Sequence, residues 1–405
     1  MKILLALSRF PWPTDKGDKL RAWHQILGLS EKHELHLFCL SDEHISDAAH
    51  QKVESVCASV TVVKIGRLSK YFRLGLNLFG SKPMQVAYFS DPQALKKFKA
   101  LDTQIKPDCV MVQLARMAEF AELSSAPKKM IDYQDAFSKG LERRKAHDPV
   151  WMRALLGLEC RRLRAYEASI FDKFDIATII SKQDAELIHH PKNHELKILP
   201  NGVDTDFYRP EPRARTIDLL FTGNMNYEPN VNCVLYVVEK VIPLLSDEFP
   251  HIQFVVAGKD PSPELRKLNS RNLQLTGWVA DLRKYYQQAR LFVAPMQIGV
   301  GMQNKILEAM SMGLPVITST LANNAIGAIH GKQVWIADTP EKTAEAIAYL
   351  MNNTDLAIRI GQNARKLMQD NYSWTKQNAL LNSFILGEDK KDVATTIGVN
   401  ESKDS

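Results

Sequence analysis

Lys305 and Glu308, three positions apart, are the residues of this chain whose types and spacing most directly suggest chemistry. Side chains three apart on a helix are neighbours on one face. The lysine could neutralise a phosphate, and the glutamate could accept hydrogen bonds from the two hydroxyls of a ribose. The pair therefore indicates a site for a phosphate that is attached to a sugar. The alternative is that Glu308 lies on the solvated face of an ordinary helix.

The segment before this pair predicts how it is positioned. Residues 291–295 form an apolar, strand-like run that ends in proline, and Gly299 and Gly301 then provide a flexible loop. A helix is predicted from about Gln303. The first turn of such a helix offers unpaired N–H groups and the positive end of the helix dipole to an anion.

Three stretches of the chain resemble GT-B glycosyltransferases of family 4. Residues 301–316 follow the pattern Gly-x-x-x-Lys-x-x-Glu-Ala-Met-x-x-Gly-x-Pro-Val, which is similar to the donor-binding motif of that family. Residues 200–204, Pro-Asn-Gly-Val-Asp, resemble the signature at the family's interdomain crossing. Residues 223–230 resemble a subgroup associated with exopolysaccharide/PEP-CTERM export systems. The fuller family motif is Glu-x7-Glu: Glu308 matches its second glutamate, whereas Val300 occupies the position of the first, which contacts the donor sugar.

The resemblance implies an α/β chain of the GT-B class, with two Rossmann-like doubly wound domains facing across a cleft. It implies a retaining glycosyltransferase that moves a sugar from a nucleoside diphosphate sugar to a glycan or lipid-linked acceptor. It also implies that the enzyme works without a cofactor or a divalent metal, and no Asp-x-Asp motif occurs in a suitable loop. The alternatives are a non-catalytic nucleotide-sugar-binding partner and a sugar-nucleotide epimerase of the same architecture.

The donor-binding residues come from five parts of the chain. Gly17 lies in the first strand–helix loop, where the family usually carries a glycine loop; the alternative is a simple turn. Asn224 occupies the place of a basic pair that binds the diphosphate in many family members, and Lys259 either replaces part of that charge or is a surface lysine. In the family the backbone near Val279 contacts the base. The remaining donor-binding candidates are Gly301, Met302, Gln303, Asn304, Lys305 and Glu308.

Two residues are candidates for catalysis. Lys305, with the helix N-terminus, would stabilise the leaving diphosphate. Asp135 is the last residue of a strand predicted at residues 129–135, and doubly wound sheets bind ligands near the carboxyl ends of their strands. It would orient the acceptor hydroxyl or take its proton. Asp132 is the alternative for that role, or both aspartates cap a helix.

The alternation of strands and helices predicts two parallel doubly wound sheets, and 405 residues suit two domains. The predicted segments are an acceptor-binding domain at 1–200, a linker at 201–216, a nucleotide-sugar-binding domain at 217–370, a helix at 371–387 that crosses back to the first domain, and a disordered tail at 388–405.

Composition excludes several classes of protein. The five cysteines lack paired or metal-binding spacing, which favours a reducing cytoplasm. No stretch is long and apolar enough for a signal peptide or a membrane span. The net charge of +6 is concentrated in residues 1–200, which hold 31 Lys and Arg against 24 Asp and Glu. No nucleic-acid motif accompanies this charge, so nucleic acid is not an expected partner.

Residues 64–99 carry eight Lys and Arg, interleaved with apolar residues, against one acid, Asp91. Such a pattern is typical of a segment that contacts the surface of a membrane. The alternative is a helix that packs on the sheet and exposes a basic face. The expected location is the cytoplasm, with peripheral contact to the inner face of the membrane under the first interpretation.

Overall fold

The computed structural model describes residues 1–66, 73, 75, 77, 80–145, 150–268, 270–298 and 301–388. The chain divides into two compact units: Met1–Pro200 together with the C-terminal residues from Thr375, and Asn201–Trp374. The segment predicted as a linker, 201–216, therefore belongs to the second unit. Apart from residue 388, the predicted tail lies outside the described residues.

The first unit is built on a seven-stranded parallel sheet with the strand order β3-β2-β1-β4-β5-β6-β7. The strands are β1 (Lys2–Leu7), β2 (Glu34–Ser41), β3 (Ser59–Lys64), β4 (Cys109–Gln113), β5 (Lys128–Asp132), β6 (Ile176–Ile179) and β7 (Lys197–Ile198). The helices are α1 (Gly17–Ser30), α2 (Asp47–Glu54), α3 (Met84–Phe89), α4 (Pro92–Ile105), α5 (Ala118–Glu122), α6 (Phe137–Lys145), α7 (Val150–Ser169) and α8 (Lys182–Glu186).

The second unit is built on a six-stranded sheet with the order β10-β9-β8-β11-β12-β13, also parallel. The strands are β8 (Ile217–Thr222), β9 (Phe254–Ala257), β10 (Leu273–Gly277), β11 (Ala289–Ala294), β12 (Val316–Thr318) and β13 (Trp335–Ile336). The helices are α9 (Glu228–Tyr236), α10 (Pro263–Arg266), α11 (Arg283–Gln288), α12 (Asn304–Ser311), α13 (Thr320–Asn323), α14 (Pro340–Asn352) and α15 (Thr354–Asn371). A final helix, α16 (Trp374–Leu386), continues into the first unit.

Apolar residues cover both faces of the central strands of the first sheet. Successive residues of β1 alternate between two apolar cores, with Leu4 in one and Ile3 and Leu5 in the other. All three side chains are fully buried. A strand buried on both faces needs a continuous apolar run, and residues 3–7 are such a run. Leu381 and Ile385 of α16 complete the core that contains Ile3.

Asp132, one of the two carboxylates predicted near the carboxyl end of β5, has a structural role. Its side chain is fully buried and accepts two hydrogen bonds from Arg21, from Nε at 2.7 Å and from Nη2 at 3.0 Å. Gln25 and Thr178 also donate to it, each at 3.0 Å. Arg21 in turn donates to the carbonyl oxygen of Leu199 at 2.9 Å. Asp132 is therefore not available to a substrate.

In each sheet the strand order reverses direction beside the first strand, between β1 and β4 and between β8 and β11. Open α/β sheets bind their ligands at such a switch point, beyond the carboxyl ends of the strands. The loops that follow these four strands are therefore the places where functional side chains are expected.

The basic segment 64–99 is described only in part, because residues 67–72, 74, 76, 78 and 79 lie outside the described residues. Arg73 forms an ion pair with Asp91, and Lys82 forms one with Glu119. Lys96, Lys97 and Lys99 are exposed on α4, whose apolar side packs in the core. No helix in the described part of the chain is long and apolar enough to cross a membrane.

Candidate functional site

Helix α12 begins at the carboxyl edge of the second sheet, after the loop that follows β11. Gly301 has a φ of 66°, a conformation that glycine adopts without strain. Gln303 is extended at the start of the helix, and no side chain caps the first turn. Gly313 ends the segment with a φ of 67°. The first turn of α12 therefore keeps unpaired donors for a ligand.

Lys305 is partly buried in this first turn. Its Nζ donates a hydrogen bond to Oε1 of Gln303 at 2.8 Å and lies 5.4 Å from the centre of the Phe221 ring. Burial lowers the pKa of the ammonium group to about 8. A desolvated cation is stabilised by a neighbouring anion, so this position suits a phosphate.

Glu308 does not lie on a solvated face, which excludes the alternative considered from the sequence. The Tyr286 hydroxyl donates to Oε2 of Glu308 at 2.9 Å and is 2.7 Å from Oγ1 of Thr222. Tyr208 is a second tyrosine near the carboxylate, and its presence lowers the pKa of Glu308. Burial raises the pKa of Glu308 to about 7, and the bond from Tyr286 opposes this shift. Tyr286, which is itself bonded to the end of β8, therefore fixes the carboxylate one turn below Lys305.

Two glycines bring the loops after β8 and β9 together beside this pair. A Cβ atom added to Gly258, whose φ is 153°, would lie 1.7 Å from the carbonyl oxygen of Gly223. A Cβ added to Gly223 would lie 3.4 Å from Cε of Lys305. Only glycine fits at Gly258, so the backbones of the two loops approach closely beside Lys305.

Asn224 and Lys259 lie in these two loops. The exposed side chain of Asn224 accepts a hydrogen bond from the N–H of Asn226 at 2.9 Å, which closes a turn. The carbonyl oxygen of Lys259 accepts one from the N–H of Met225 at 2.8 Å. Both residues lie at the same edge of the second sheet as Lys305. This position is compatible with donor binding, which we keep as a proposal for both.

The other candidates of this unit have different surroundings. Val279 is half-buried after β10, next to Trp278, which is 73% exposed. Met302 is buried, so its side chain contributes to packing. The Asn304 side chain accepts a hydrogen bond from Nδ2 of Asn201 at 3.0 Å. This bond joins the segment that follows Pro200 to the first turn of α12, and both of its residues belong to the second unit. Gly299 and Val300 lie outside the described residues.

In the first unit, Gly17 is the first residue of α1, after the loop that follows β1. Asp135 follows β5, and its Oδ1 is buried without a hydrogen-bond partner among the described residues. Burial, together with the negative charge of Asp184, raises the pKa of Asp135 to about 7. Buried carboxyl groups with pKa values near neutrality are suited to proton transfer.

Three residues of the site were not predicted from the sequence: Tyr208, Tyr286 and Gly258. Each lies far from Lys305 along the chain, and only the fold brings it close. Gly258 carried the one usable signal, because a glycine directly after an apolar strand often permits a ligand or backbone to approach.

Residues 216–353 match a family model described as "Glycosyl transferases group 1". A Klebsiella pneumoniae protein described as an uncharacterized 44.6 kDa protein in the cps region is 23% identical over 388 residues, 93% of this chain and 97% of that protein. A GDP-mannose-dependent alpha-(1-6)-phosphatidylinositol monomannoside mannosyltransferase of Mycobacterium tuberculosis is 28% identical over 218 residues, 48% of this chain and 56% of that protein. HepE of Anabaena, solved in complex with UDP, has a TM-score of 0.70 at 13% identity, covering 96% of this chain and all 100% of that one.

The likeness to HepE over nearly the whole chain, with two parallel Rossmann-like sheets, confirms the fold class predicted from the sequence. The family match covers Lys305, Glu308 and the glycines around them. The second unit thus carries a group 1 glycosyltransferase domain, and the chain is a glycosyltransferase with the GT-B fold.

Proposed function

We propose that this enzyme transfers a glycosyl group from a nucleoside diphosphate sugar to a glycan or lipid-linked acceptor. The bond between the anomeric carbon and the diphosphate oxygen breaks, and a bond from that carbon to an acceptor oxygen forms with retention of configuration. The acceptor proton leaves with the diphosphate or passes to Asp135. No divalent metal takes part.

The observation that carries this proposal is the arrangement of Lys305 and Glu308. A partly buried cation lies in the uncapped first turn of α12, and a carboxylate held by the Tyr286 hydroxyl lies one turn further along. A diphosphate next to Lys305 would receive charge-assisted hydrogen bonds from the ammonium group and backbone N–H groups. The ribose hydroxyls would then donate to Glu308.

The same contacts would promote the reaction. Negative charge on the diphosphate grows as the glycosidic bond breaks, so a fixed cation stabilises the transition state more than the bound donor. The ammonium group of Lys305 is oriented by its hydrogen bond to Oε1 of Gln303, which is 2.8 Å long. A diphosphate would accept from the remaining N–H groups of that ammonium.

The names of similar proteins support a nucleotide-sugar donor without identifying the base. HepE was solved with UDP, and the mycobacterial relative is described as GDP-mannose-dependent. The Klebsiella relative is described as lying in a cps region, and a Staphylococcus aureus relative, 27% identical over 132 residues, is described as a capsular polysaccharide biosynthesis glycosyltransferase. We therefore propose an exported polysaccharide, or its lipid-linked precursor, as the acceptor.

Incubation of the full chain with UDP-, GDP- and ADP-sugars tests the proposal. Transfer or slow hydrolysis of one of them, unchanged by a metal chelator, is the expected result. The anomeric proton signal of the product should show the same configuration as the donor. Isomerisation of the sugar would instead identify an epimerase, and binding without turnover would identify a non-catalytic partner.

A further inference from the structure

The switch point of the first unit carries a cluster of charged side chains that the proposed donor site does not use. Arg9 follows β1, Asp18 lies in the first turn of α1, and Arg116 follows β4. Strands β1 and β4 are parallel neighbours, so these residues meet beyond their carboxyl ends. This is the position in the first unit that corresponds to the place of Lys305 in the second.

The two arginines share one carboxylate oxygen. Oδ2 of Asp18 is 2.7 Å from Nη1 of Arg9 and 3.5 Å from Nη2 of Arg116. Nε of Arg116 donates to Oγ of Ser8 at 3.0 Å. The Arg116 side chain is only 10% exposed and lies 4.8 Å from the centre of the Phe89 ring. Its Nη1 has no hydrogen-bond partner among the described residues.

The charges of this cluster do not balance. Two guanidinium groups face the single carboxylate of Asp18, which leaves an excess of one positive charge. The neighbouring lysines do not add to it: Lys16 and Lys19 are paired with Glu43, and Lys19 also with Asp15. Burial and the charge of Arg9 lower the pKa of Arg116 to about 10, so the attraction of Asp18 does not compensate these two effects.

Guanidinium groups that are buried without a full set of partners are stabilised by a planar or tetrahedral oxyanion. The first turn of α1 adds donors, because Lys16 precedes it without a side-chain cap. The donor diphosphate is already accounted for by the second unit. The remaining substrate is the acceptor.

We propose that Arg9 and Arg116 bind a phosphate-type anionic group of the acceptor. This inference rests on the proposed function, and it specifies that function: the acceptor is a phosphorylated or diphosphate-linked molecule rather than a neutral sugar. Asp18 bridges the two arginines, and the anion would compete with its carboxylate for them.

The proposal is tested by calorimetry on the full chain. The protein is first saturated with UDP or GDP, whichever it binds, so that the donor site is filled. Inorganic pyrophosphate is then titrated into the saturated protein. Pyrophosphate should bind the saturated protein. Arg116→Gln and Arg9→Gln should each weaken that binding about tenfold or more, because each removes a charge-assisted contact, and should leave nucleotide affinity unchanged. Asp18→Asn should strengthen it, because the competing carboxylate is gone.

Arg161→Gln is the matched control, since Arg161 is exposed on α7, and it should change neither affinity. Arg9 is 39% exposed, so its variant carries the test if Arg116→Gln does not fold. Equal pyrophosphate binding by all variants, or none by the wild type, would overturn the proposal. So would loss of nucleotide affinity in the arginine variants, which would mean that the cluster binds the donor. If none of the nucleotides bound, the proposed function itself would be refuted. The first titration, with nucleotide alone, would show this.

Discussion

The Tyr286 hydroxyl donates to the Glu308 carboxylate at 2.9 Å, from a side chain that is itself fully buried. The same hydroxyl is 2.7 Å from Thr222, the last residue of β8. The carboxylate is therefore oriented by the sheet and not by solvent. The carboxylate lies one helical turn from the start of α12. If Lys305 held the diphosphate of a nucleotide, the ribose would lie near this carboxylate.

Glu308→Ala is expected to weaken binding of a ribonucleoside diphosphate about tenfold, because hydrogen bonds to a charged acceptor are lost. Binding of the 2′,3′-dideoxy analogue should hardly change, because it has no hydroxyls to donate. Glu308→Gln keeps an acceptor without the charge and should give an intermediate affinity. Calorimetry with both nucleotides measures this. Glu345→Ala, at an exposed position of α14, is the control, and an equal loss for both nucleotides would contradict a ribose contact.

Arg21→Met is expected to destabilise the fold by about 3–5 kcal/mol, because it leaves the buried Asp132 carboxylate without its cation. Both side chains of the pair are buried: that of Arg21 is 1% exposed and that of Asp132 is 0% exposed. Urea unfolding compares this variant with Arg161→Met at an exposed position. The double change Arg21→Met with Asp132→Leu should cost less than the two single changes together. A normally stable but inactive Asp132→Asn variant would instead return Asp132 to the catalytic candidates.

Secondary structure could be predicted from the sequence where it depends mainly on the residues of a single segment. The apolar run at residues 217–222 predicts a strand, which is observed as Ile217–Thr222. Ser181 is of a residue type that favours a helix N-cap, and it caps α8 by accepting from the N–H of Asp184 at 3.1 Å. Apolar runs bounded by glycine or proline carry enough local information for such predictions. The strand Leu273–Gly277 was missed because it is a half-buried edge strand with no continuous apolar run.

Contacts between distant segments could not be predicted. Arg21 and Asp132 are 111 positions apart, and nothing local marks either as a buried ion pair. Tyr286 and Glu308 are separated by 22 positions and lie in different helices. The motif at 301–316 singled out Lys305 and Glu308 as candidates, but the groups that orient them depend on the order of strands in the sheet.

Exposed lysines of α4 are expected to mediate contact with an anionic membrane surface, if the basic segment has that role. Each lysine near such a surface contributes about 1 kcal/mol, and salt screens it. Replacing Lys96, Lys97 and Lys99 by Glu should therefore reduce co-sedimentation with anionic liposomes more than Lys82→Glu, since Lys82 is paired with Glu119. Lys70 lies outside the described residues. Equal partition onto neutral and anionic vesicles would support the alternative, a packed helix with a basic face.

Asp135→Asn is expected to lower turnover by about 10²- to 10⁴-fold if the carboxylate takes the acceptor proton, with little change in nucleotide affinity. Asp172→Asn, at an exposed position, controls for loss of a carboxylate.

The same variant has a pH signature in stability. Because burial raises the pKa of Asp135 to about 7, the folded state favours the protonated form. Its contribution to stability is complete below about pH 4 and is lost as the pH rises through about 7. Asparagine is neutral throughout, so Asp135→Asn should be more stable than the wild type at pH 8, by roughly 2–4 kcal/mol, and nearly equal at pH 4. Thermal unfolding at both pH values measures the difference, and a pH-independent difference would show that Asp135 is an ordinary ionised carboxylate.

Lys305→Ala is expected to lower nucleoside diphosphate affinity about tenfold or more, because a charge-assisted contact in a partly buried position is lost. Turnover should fall further than affinity, since the charge on the leaving diphosphate is greatest in the transition state. The pH dependence gives a second measure. Burial lowers the pKa of Lys305 to about 8, so affinity of the wild type should fall as the pH rises above that value, and Lys305→Ala should lose this dependence. Lys366→Ala, at a position 75% exposed, should match the wild type in both respects. If Lys305→Ala bound nucleotides as tightly as the wild type across this pH range, the diphosphate would have to lie elsewhere in the second unit, and Gln303 and the first turn of α12 would lose their proposed role with it.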